Sequence, residues 1–359
     1  MKRRWRGADA GGRTAWTRGR VLAPLAAAAA GAMAFHSLVP DAGIGLGSLL
    51  EAFLPWLGLA VPLLLAAALL RRSALALVAL ALPSAVWLGL FHEVLTPREA
   101  HPDGTAVLTA VQHNASDENR DPAATARALA AAGPDVVALQ ELIPAALPAY
   151  EEALAPDHPH HAVVGTVGLW SRHPLTDVRP LDIRPAGVGP GWNRGLRATV
   201  RAPHGDVAVH VVHLPSVRLR ASGFDAARRN ESAALLGEEL RAEELPRVIL
   251  LGDLNGTLDD RGLAPVLARL DSTGEGAADG FSFSWPTAFP VARIDHVMAR
   301  GATVARLWTL PATDSDHLPV AARIAFPAGR AQDAPADGTR HSAAGALRAR
   351  PAAVRQAAG

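Results

Sequence analysis

Cysteine is absent from this chain of 359 residues, and lysine occurs only once, as Lys2. The absence of cysteine excludes disulfide bonds and any metal site built on thiolates. It is compatible with either side of a bacterial membrane, so it does not assign a compartment. Arginine supplies all other positive side-chain charge, a bias that reflects genome base composition rather than function.

A basic excess is also missing from residues 100–327. This region has 20 arginines and 27 acidic residues, a formal charge of −7, whereas the whole chain carries +1. Sequence-independent DNA binding depends on the neutralisation of phosphates by Lys and Arg. The charge count therefore argues mildly against tight binding of this kind.

Three long apolar runs precede residue 95, and each has roughly 19 residues, close to the ~20 that cross a bilayer as a helix. They are Val21 to Val39, Ala52 to Leu70 and Ser73 to Phe91. The prolines inside them are tolerated in membrane helices. We predict three transmembrane helices within residues 21–93. The alternative is a cleaved signal peptide followed by a buried hairpin, but three long runs exceed one signal sequence.

The placement of arginine predicts the orientation of these helices. Seven Lys or Arg residues precede Val21, none lies between residues 40 and 50, and Arg71 and Arg72 separate the second run from the third. The positive-inside rule places residues 1–20 and the Arg71–Arg72 turn in the cytoplasm. We expect a multi-pass protein of the cell membrane, in contact with the lipid bilayer, whose catalytic domain is extracellular.

Residues 100–327 have the pattern of a globular α/β domain. Apolar strand-like runs, such as 107–112, 135–140 and 247–251, outnumber the helical segments, and hairpins mix with crossovers. This mixture predicts an α/β (α+β) fold, a four-layer sandwich of two mixed β-sheets flanked by helices. Residues 328–359 lack apolar periodicity and are predicted to be a disordered tail.

Polar residues follow several of the predicted strands. Asp253 and Asn255 come directly after the apolar run at 248–251, and their i, i+2 spacing places both on one face. In α/β proteins ligands bind at the carboxyl edge of the sheet. The other such strand ends are His113-Asn114, Gln140-Glu141, Arg293-Ile294-Asp295-His296 and Ser315-Asp316-His317. Together they predict a site where a hard metal ion assists phosphate cleavage.

Phosphate ester cleavage requires charge neutralisation on the phosphoryl oxygens, a positioned water and help for the leaving oxygen. Mg²⁺ prefers oxygen ligands and retains waters, so one or two carboxylates suffice to hold it. Glu141 is the best candidate ligand because it follows a run, 136–139, that should be buried. The alternative is a solvated acid at the start of a helix.

Taken in order, these motifs resemble the endonuclease/exonuclease/phosphatase superfamily. It includes pancreatic-type deoxyribonucleases, apurinic endonucleases, neutral sphingomyelinases and inositol-polyphosphate 5-phosphatases. The residues that carry the resemblance, which covers about residues 105–326, are Asn114, Gln140-Glu141, His213-Leu214, Gly252-Asp253-Leu254-Asn255, Arg293-Ile294-Asp295-His296 and Ser315-Asp316-His317. The resemblance implies a Mg²⁺-dependent hydrolase of phosphoesters, with Mn²⁺ as the alternative ion.

The resemblance also implies a role for each matching residue. The metal ligands are Glu141, Asp316 and Asn114. The phosphate-binding residues are Asn114 and Asn255. The catalytic residues are Asp253, His317, His213 and Asp295. An Asp beside an imidazole fixes the tautomer and raises the basicity of the ring, which is the role implied for Asp295. Whether His317 acts as base, acid or electrostatic clamp stays open.

Several activities fit this pattern. We favour a phosphodiesterase or nuclease-type activity, on a nucleic acid, a phospholipid or a small phosphoester. The alternatives are a sphingomyelinase-like phospholipid hydrolase and an inositol-phosphate-type phosphatase. A non-catalytic binding protein with the same fold would have lost one of the charged positions, and all are present here. Nothing in the sequence indicates an obligate protein partner.

Some residues near the motifs have two interpretations. Residues 117–119 either supply a metal ligand or cap the following helix, and we favour capping. The loop 187–194, with Trp192 and Arg194, either contacts substrate or is only a turn. Strand alternation points His113, His210 and His296 away from the site, so we leave them out of it.

Overall fold

The computed structural model describes residues 19–41, 43–96, 106–221 and 223–327. The predicted tail and nearly all of the predicted basic N-terminus lie outside the described residues. The helices are α1 (Leu22–Ala34), α2 (Leu46–Ala52), α3 (Ala60–Leu70), α4 (Ala74–Ala79), α5 (Ala81–Leu95), α6 (Pro122–Ala130), α7 (Leu147–Leu154), α8 (Ala227–Ala242) and α9 (Ala264–Leu267). Short 3₁₀ helices occupy His36–Leu38, Leu54–Leu59, Arg261–Leu263 and Glu275–Ala277.

Two large mixed sheets form the centre of the fold. The strands are β1 (Ala106–Asn114), β2 (Val136–Gln140), β3 (His160–Val164), β4 (Val167–Ser171), β5 (Leu175–Pro180), β6 (Gly195–Ala202), β7 (Gly205–His213), β8 (Arg218–Arg220), β9 (Gly223–Asp225), β10 (Val248–Asp253), β11 (Asp295–Arg300), β12 (Thr303–Thr309) and β13 (Val320–Phe326). The first sheet has the order β12-β13-β1-β2-β4-β3, and the second β11-β10-β7-β6-β5. Strands β8 and β9 form a separate hairpin. The pairs β1–β2 and β7–β10 are parallel.

Strand alternation builds the core between the two sheets. Every second residue of the central strands is apolar and fully buried, as in Leu108 and Ala110 of β1 or Ile249 and Leu251 of β10. Side chains of alternate positions point to one face, so these residues meet their counterparts from the facing sheet. Burying each large aliphatic side chain contributes roughly 1.5–3 kcal/mol.

Helices cover the outer face of each sheet. Leu129 of α6 and Leu154 of α7 pack on the outward residues of β1 and β2, while Leu236 and Leu240 of α8 pack on the second sheet. The Asp121 side chain accepts a hydrogen bond from the Ala124 N–H and caps α6, as the Asp-Pro start predicts. The predicted fold of two mixed sheets flanked by helices is therefore confirmed.

The apolar N-terminal region differs from three uniform 19-residue helices. Helix α1 has only 13 residues and ends before Phe35. The second predicted run, Ala52 to Leu70, corresponds to the helix Leu54–Leu70, which meets α2 at a bend of 72°. Among the described residues, one helix, Ala74–Leu95, is long and apolar enough to cross a membrane, or two if the bent pair counts as one span. By length and composition this is weak evidence for a membrane protein.

Candidate active site

The site forms where the apolar core between the sheets becomes polar. On β1 the inward positions run from Ala110 to Gln112 and Asn114, and on β10 they run from Leu251 to Asp253. The pairing of β10 sets Asp253 opposite His213 of parallel β7 and Asp295 of antiparallel β11. The polar residues thus lie at one edge of both sheets. Along each strand they take the inward-facing positions next to the apolar core residues.

Asp253 is the centre of this cluster. It is 1% exposed. Its Oδ2 atom accepts hydrogen bonds from Asn114 Nδ2 at 3.0 Å and Asn255 Nδ2 at 3.2 Å, and its Oδ1 atom accepts one from the Asn255 N–H at 2.9 Å. The imidazole nitrogens His213 Nε2 and His317 Nε2 lie 3.6 and 3.9 Å from Oδ2. Four of the predicted site residues therefore surround one buried carboxylate.

His317 is held by a buried acid. Its Nδ1 lies 2.7 Å from Asp295 Oδ2, and the other oxygen of Asp295 accepts a hydrogen bond from Gln112 Nε2 at 2.7 Å. The backbone N–H of Asp295 donates to Ser284 Oγ. These contacts fix the imidazole so that its Nε2 faces Asp253 and the cleft.

Burial and charge shift the pKa values of these groups. Burial, together with the nearby Asp295 charge, raises the pKa of Asp253 to about 7. Burial alone would lower the pKa of His317, but the negative charges of Asp295 and Asp253 and the Asp295 hydrogen bond raise it to about 10. The same pairing lowers the pKa of Asp295 against its burial. A protonated His317 can contact a phosphoryl oxygen or donate a proton to a leaving group.

His213 has the opposite character. It is fully buried, and burial together with the neighbouring Arg194 charge lowers its pKa to about 3. Arg194 Nη1 lies 3.3 Å from His213 Nδ1, and the guanidinium stacks over the ring of Trp192 at 5.4 Å. The loop 187–194 thus places its one arginine against a predicted catalytic histidine.

Glu141 and Asn255 both have a backbone conformation that is unusual for their residue types. Their φ angles are +58° and +49°, in the left-handed region. Such strain concentrates at functional sites, where surrounding contacts maintain it. Glu141 Oε2 accepts a hydrogen bond from the Asp117 N–H at 3.3 Å, and Oε1 lies 3.7 Å from His213 Nε2. The carboxylate of Glu141 therefore reaches the same cluster from the first sheet.

Asp316 lies on the outer side of the cluster. Its side chain is 61% exposed, and Oδ2 accepts a hydrogen bond from Trp285 Nε1 at 3.2 Å. Within the described residues, one group of three or more His, Asp and Glu side chains could hold a metal ion, namely Asp253, Asp295 and His317. Their ligand atoms lie within 4.8 Å of one another. Glu141 and Asp316 line the same cleft without belonging to a group that tight.

The structure also shows the contacts of residues 117–119 and of the histidines next to the motifs. Asn119 accepts from the Asp121 N–H and donates to Thr125 Oγ1, which supports capping of α6. Asp117 and Glu118 are exposed. The three histidines that strand alternation points away from the site are buried outside the cleft: His113 contacts Thr313, His210 lies near Glu243, and His296 contacts the Gly256 carbonyl.

Gln112 and Trp285 were not identified from sequence, and for the loop of Arg194 the sequence left substrate contact and a plain turn as alternatives. Gln112 is one alternation step before Asn114, so the same pattern could have identified it. Arg194 and Trp285 come from loops, and no local signal ties either residue to His213 or Asp316. Their contacts depend on the closure of distant segments.

Comparison with known proteins indicates the same family as the sequence motifs. Residues 99–317 match the model of the Endonuclease/Exonuclease/phosphatase family. An endonuclease/exonuclease/phosphatase family protein from Bacteroides thetaiotaomicron superposes with a TM-score of 0.51 at 18% identity, covering 62% of this chain and 96% of that chain. This similarity shows the fold.

Two further solved structures cover 62% of this chain and 100% of their own chains. They are sphingomyelinase C from Streptomyces griseocarneus, with a TM-score of 0.47 at 23% identity, and a beta toxin from Staphylococcus aureus with bound magnesium ions, with a TM-score of 0.48 at 15% identity. A search among curated proteins finds no match.

Proposed function

The chain belongs to the endonuclease/exonuclease/phosphatase family, and on that premise we propose that it is a membrane-anchored hydrolase that cuts phosphodiester bonds with the help of a divalent metal ion. Enzymes of this family act on phosphoesters and typically depend on such an ion. The reaction joins the oxygen of water to phosphorus, breaks the bond to the leaving oxygen and gives that oxygen a proton.

The observation that carries the proposal is the convergence on Asp253. Two amides and two imidazoles from different strands and loops surround one buried carboxylate. We assign phosphate binding to Asn114 and Asn255, whose side chains line the same cleft, and Asp253 is placed to orient the attacking water. His317, held by Asp295, faces the same space. We assign a catalytic role to Asp253, His317, His213 and Asp295.

The donor set fits a hard divalent cation. Glu141, Asp316 and Asn114 offer oxygen atoms to one cleft, and Mg²⁺ and Mn²⁺ favour such ligands. The Glu141 carboxylate is part-exposed and held in a strained conformation beside the buried acid Asp253. A bound ion would supply charge neutralisation on the phosphoryl oxygens.

Turnover of a simple diester tests the function. We expect the full-length protein in detergent micelles to release p-nitrophenol from bis(p-nitrophenyl) phosphate with Mg²⁺ and to stop when EDTA is added. Asp253→Asn should lower kcat by roughly 10³-fold, a size typical of lost proton-transfer and charge-stabilising groups. Asp157→Asn, an exposed acid remote from the cleft, is the matched control. Undiminished turnover of Asp253→Asn would refute the assignment.

The natural substrate is then narrowed by a panel of single-stranded DNA, duplex DNA, RNA, sphingomyelin and inositol phosphates under the same conditions. Cleavage of monoesters alone would favour a phosphatase. A compound counts as a substrate of this site only if Asp253→Asn loses activity on it and Asp157→Asn does not.

Exposed apolar side chains support the membrane anchor. The helix Ala74–Leu95 has 22 residues, about 33 Å at 1.5 Å per residue. Only 22% of its apolar 18-residue stretch is buried. The same helix presents Leu82 and Leu88 outward, and the neighbouring helices present Leu25, Leu63 and Leu69. Large exposed apolar surfaces are rare on proteins that face only water.

The ends of the helices support the proposed orientation. Gly19, before α1, lies so close to Ser73 that a Cβ atom there would clash, so Gly19 and the Arg71–Arg72 turn lie at one end of the helices. At the other end, the His36 and Val39 carbonyls contact Arg261 of the catalytic region. Protease added to intact cells should release the segment after residue 93. Cleavage only after lysis would reverse the topology.

A further inference from the structure

The cleft at Asp253 has two chemically different walls around a volume of about 370 Å³. The polar wall contains Asn114, Glu141, Asp253, Asn255, Asp316 and His317. The apolar wall contains Leu49, Ala52, Phe53, Val217, Leu219 and Phe224. Leu49, Ala52 and Phe53 come from residues 36–41 and 43–53, here named the docked segment, which lies outside the residues that match the family.

The charge of the lining argues against a nucleic acid strand as the occupant of the apolar wall. None of the lining residues, all in the described part of the chain, is Lys or Arg, whereas Glu141, Asp253, Asp260 and Asp316 are acidic. A nucleic acid strand gains most of its affinity from cationic side chains along its path. An apolar group attached to a single phosphate gains affinity from Leu and Phe side chains instead.

Arg261 fixes the docked segment to the catalytic region. Its guanidinium donates to both Glu51 oxygens, at 2.7 and 2.8 Å, and to the carbonyls of His36 and Val39 at 3.0 and 2.8 Å. Glu51 is only 1% exposed. Four charge-assisted hydrogen bonds on one side chain indicate a built contact rather than a passing loop.

A second chain of contacts links the docked segment to the catalytic loop. Ser48 Oγ donates to Asp260 at 3.4 Å, and Asp260 pairs with buried Arg229 at 2.6 Å. Arg229 in turn donates to the Asn255 carbonyl at 2.9 Å. Beyond the segment, Trp56 Nε1 donates to the Val291 carbonyl at 2.7 Å. Hydrogen bonds therefore join the docked segment to the loop of Asn255, and join the chain just after the segment to the loop of Val291.

We propose that the docked segment is part of the substrate-binding site, and that Leu49 and Phe53 bind an apolar group esterified to the scissile phosphate. The substrate class is an amphiphilic phosphodiester from the membrane. The inference rests on the proposed phosphodiesterase function. Its physical basis is continuity: the same segment that lines the cleft runs directly into the apolar helix that begins at Leu54, so the apolar wall adjoins the surface proposed to meet lipid.

Two diesters with one leaving group test the proposal: p-nitrophenyl methyl phosphate and p-nitrophenyl hexyl phosphate. The full-length protein is assayed in one detergent, so that each variant is compared with wild type under equal partitioning. We expect Leu49→Ser and Phe53→Ser to lower kcat/KM for the hexyl ester about tenfold or more and to change the methyl ester less than about twofold, because only the longer chain reaches the apolar wall. Leu46→Ser, on the same helix but outside the lining, should leave both esters unchanged.

The outcomes separate this inference from the function on which it rests. Equal losses on both esters, or no loss on either, would overturn the substrate-binding role and leave the phosphodiesterase function intact. Preferential cleavage of single-stranded DNA that does not respond to Phe53→Ser would also overturn it. Failure of wild type to hydrolyse either ester would overturn both.

Discussion

Arg261 and Glu51 form a bidentate ion pair across 210 residues of sequence, with one donor on each carboxylate oxygen at 2.7 and 2.8 Å. The pair joins the apolar N-terminal region to the catalytic region, and Glu51 is almost fully buried. Removal of the guanidinium would leave the buried Glu51 carboxylate with only the Arg261 N–H at 3.0 Å and His36 Nδ1 at 3.3 Å, and the loss of one partner of a buried pair costs more than the pair itself contributes.

Arg261→Ala should therefore destabilise the protein by about 3 kcal/mol. The measurement is the thermal midpoint of the full-length protein in detergent, together with proteolysis between residues 36 and 53, which should become faster. Arg241→Ala is the matched control, because its pair with Glu238 is exposed and is expected to contribute below about 1 kcal/mol. Equal effects of the two variants would show that Arg261 does not hold the segment.

The raised pKa of His317 predicts a loss of stability at alkaline pH. The folded-state pKa of about 10 exceeds the ordinary value of 6.5, so the stabilisation is complete below about pH 6.5 and disappears as the pH rises to about 10. Buried His113, His213 and His296 have lowered pKa values and have lost their protons well below this window.

Melting temperatures in EDTA should fall between pH 7.5 and 10 for wild type and much less for His317→Gln. The two curves should approach each other near pH 10, where about half of the His317 imidazole has lost its proton and little of its stabilisation remains. Parallel curves across this range would mean that Asp295 does not hold a proton on His317.

Asp295→Asn should reduce kcat by about 10²–10⁴-fold without unfolding the protein. The amide keeps the volume of the carboxylate but removes the charge that raises the pKa of His317, so the imidazole loses its proton near neutral pH. Steady-state rates of p-nitrophenyl ester hydrolysis from pH 6 to 10 measure the effect, and the pH profile should shift toward acid. A uniform rate loss with an unchanged profile would indicate a purely structural role.

Glu141→Gln should weaken metal binding by about tenfold or more, because an amide oxygen is a neutral ligand for Mg²⁺. Isothermal titration with Mg²⁺ or Mn²⁺ measures this without reference to turnover. Glu118→Gln, an exposed acid in the adjacent loop, is the control and should bind like wild type. If both variants bind equally, Glu141 is not a ligand.

The sequence by itself determined the polar edge of the sheets. Asn114, Asp253 and Asp295 each take the next inward position beside apolar residues of their strands, so the period of two places them on one face. A local signal also marks the start of α6, where Asp121 caps the helix before Pro122. These features depend on residues that are close in the chain.

Only the tertiary structure decided what surrounds that edge. The first apolar run, Val21 to Val39, is α-helical only to Ala34, and the His36 and Val39 carbonyls beyond that helix accept hydrogen bonds from Arg261. Trp285 and Phe53 line the cleft from a loop and from a separate segment, and Arg194 reaches His213 from another loop, with no periodic signal to mark them. Their positions follow from side-chain hydrogen bonds and packing between distant parts of the chain, which a local pattern does not encode.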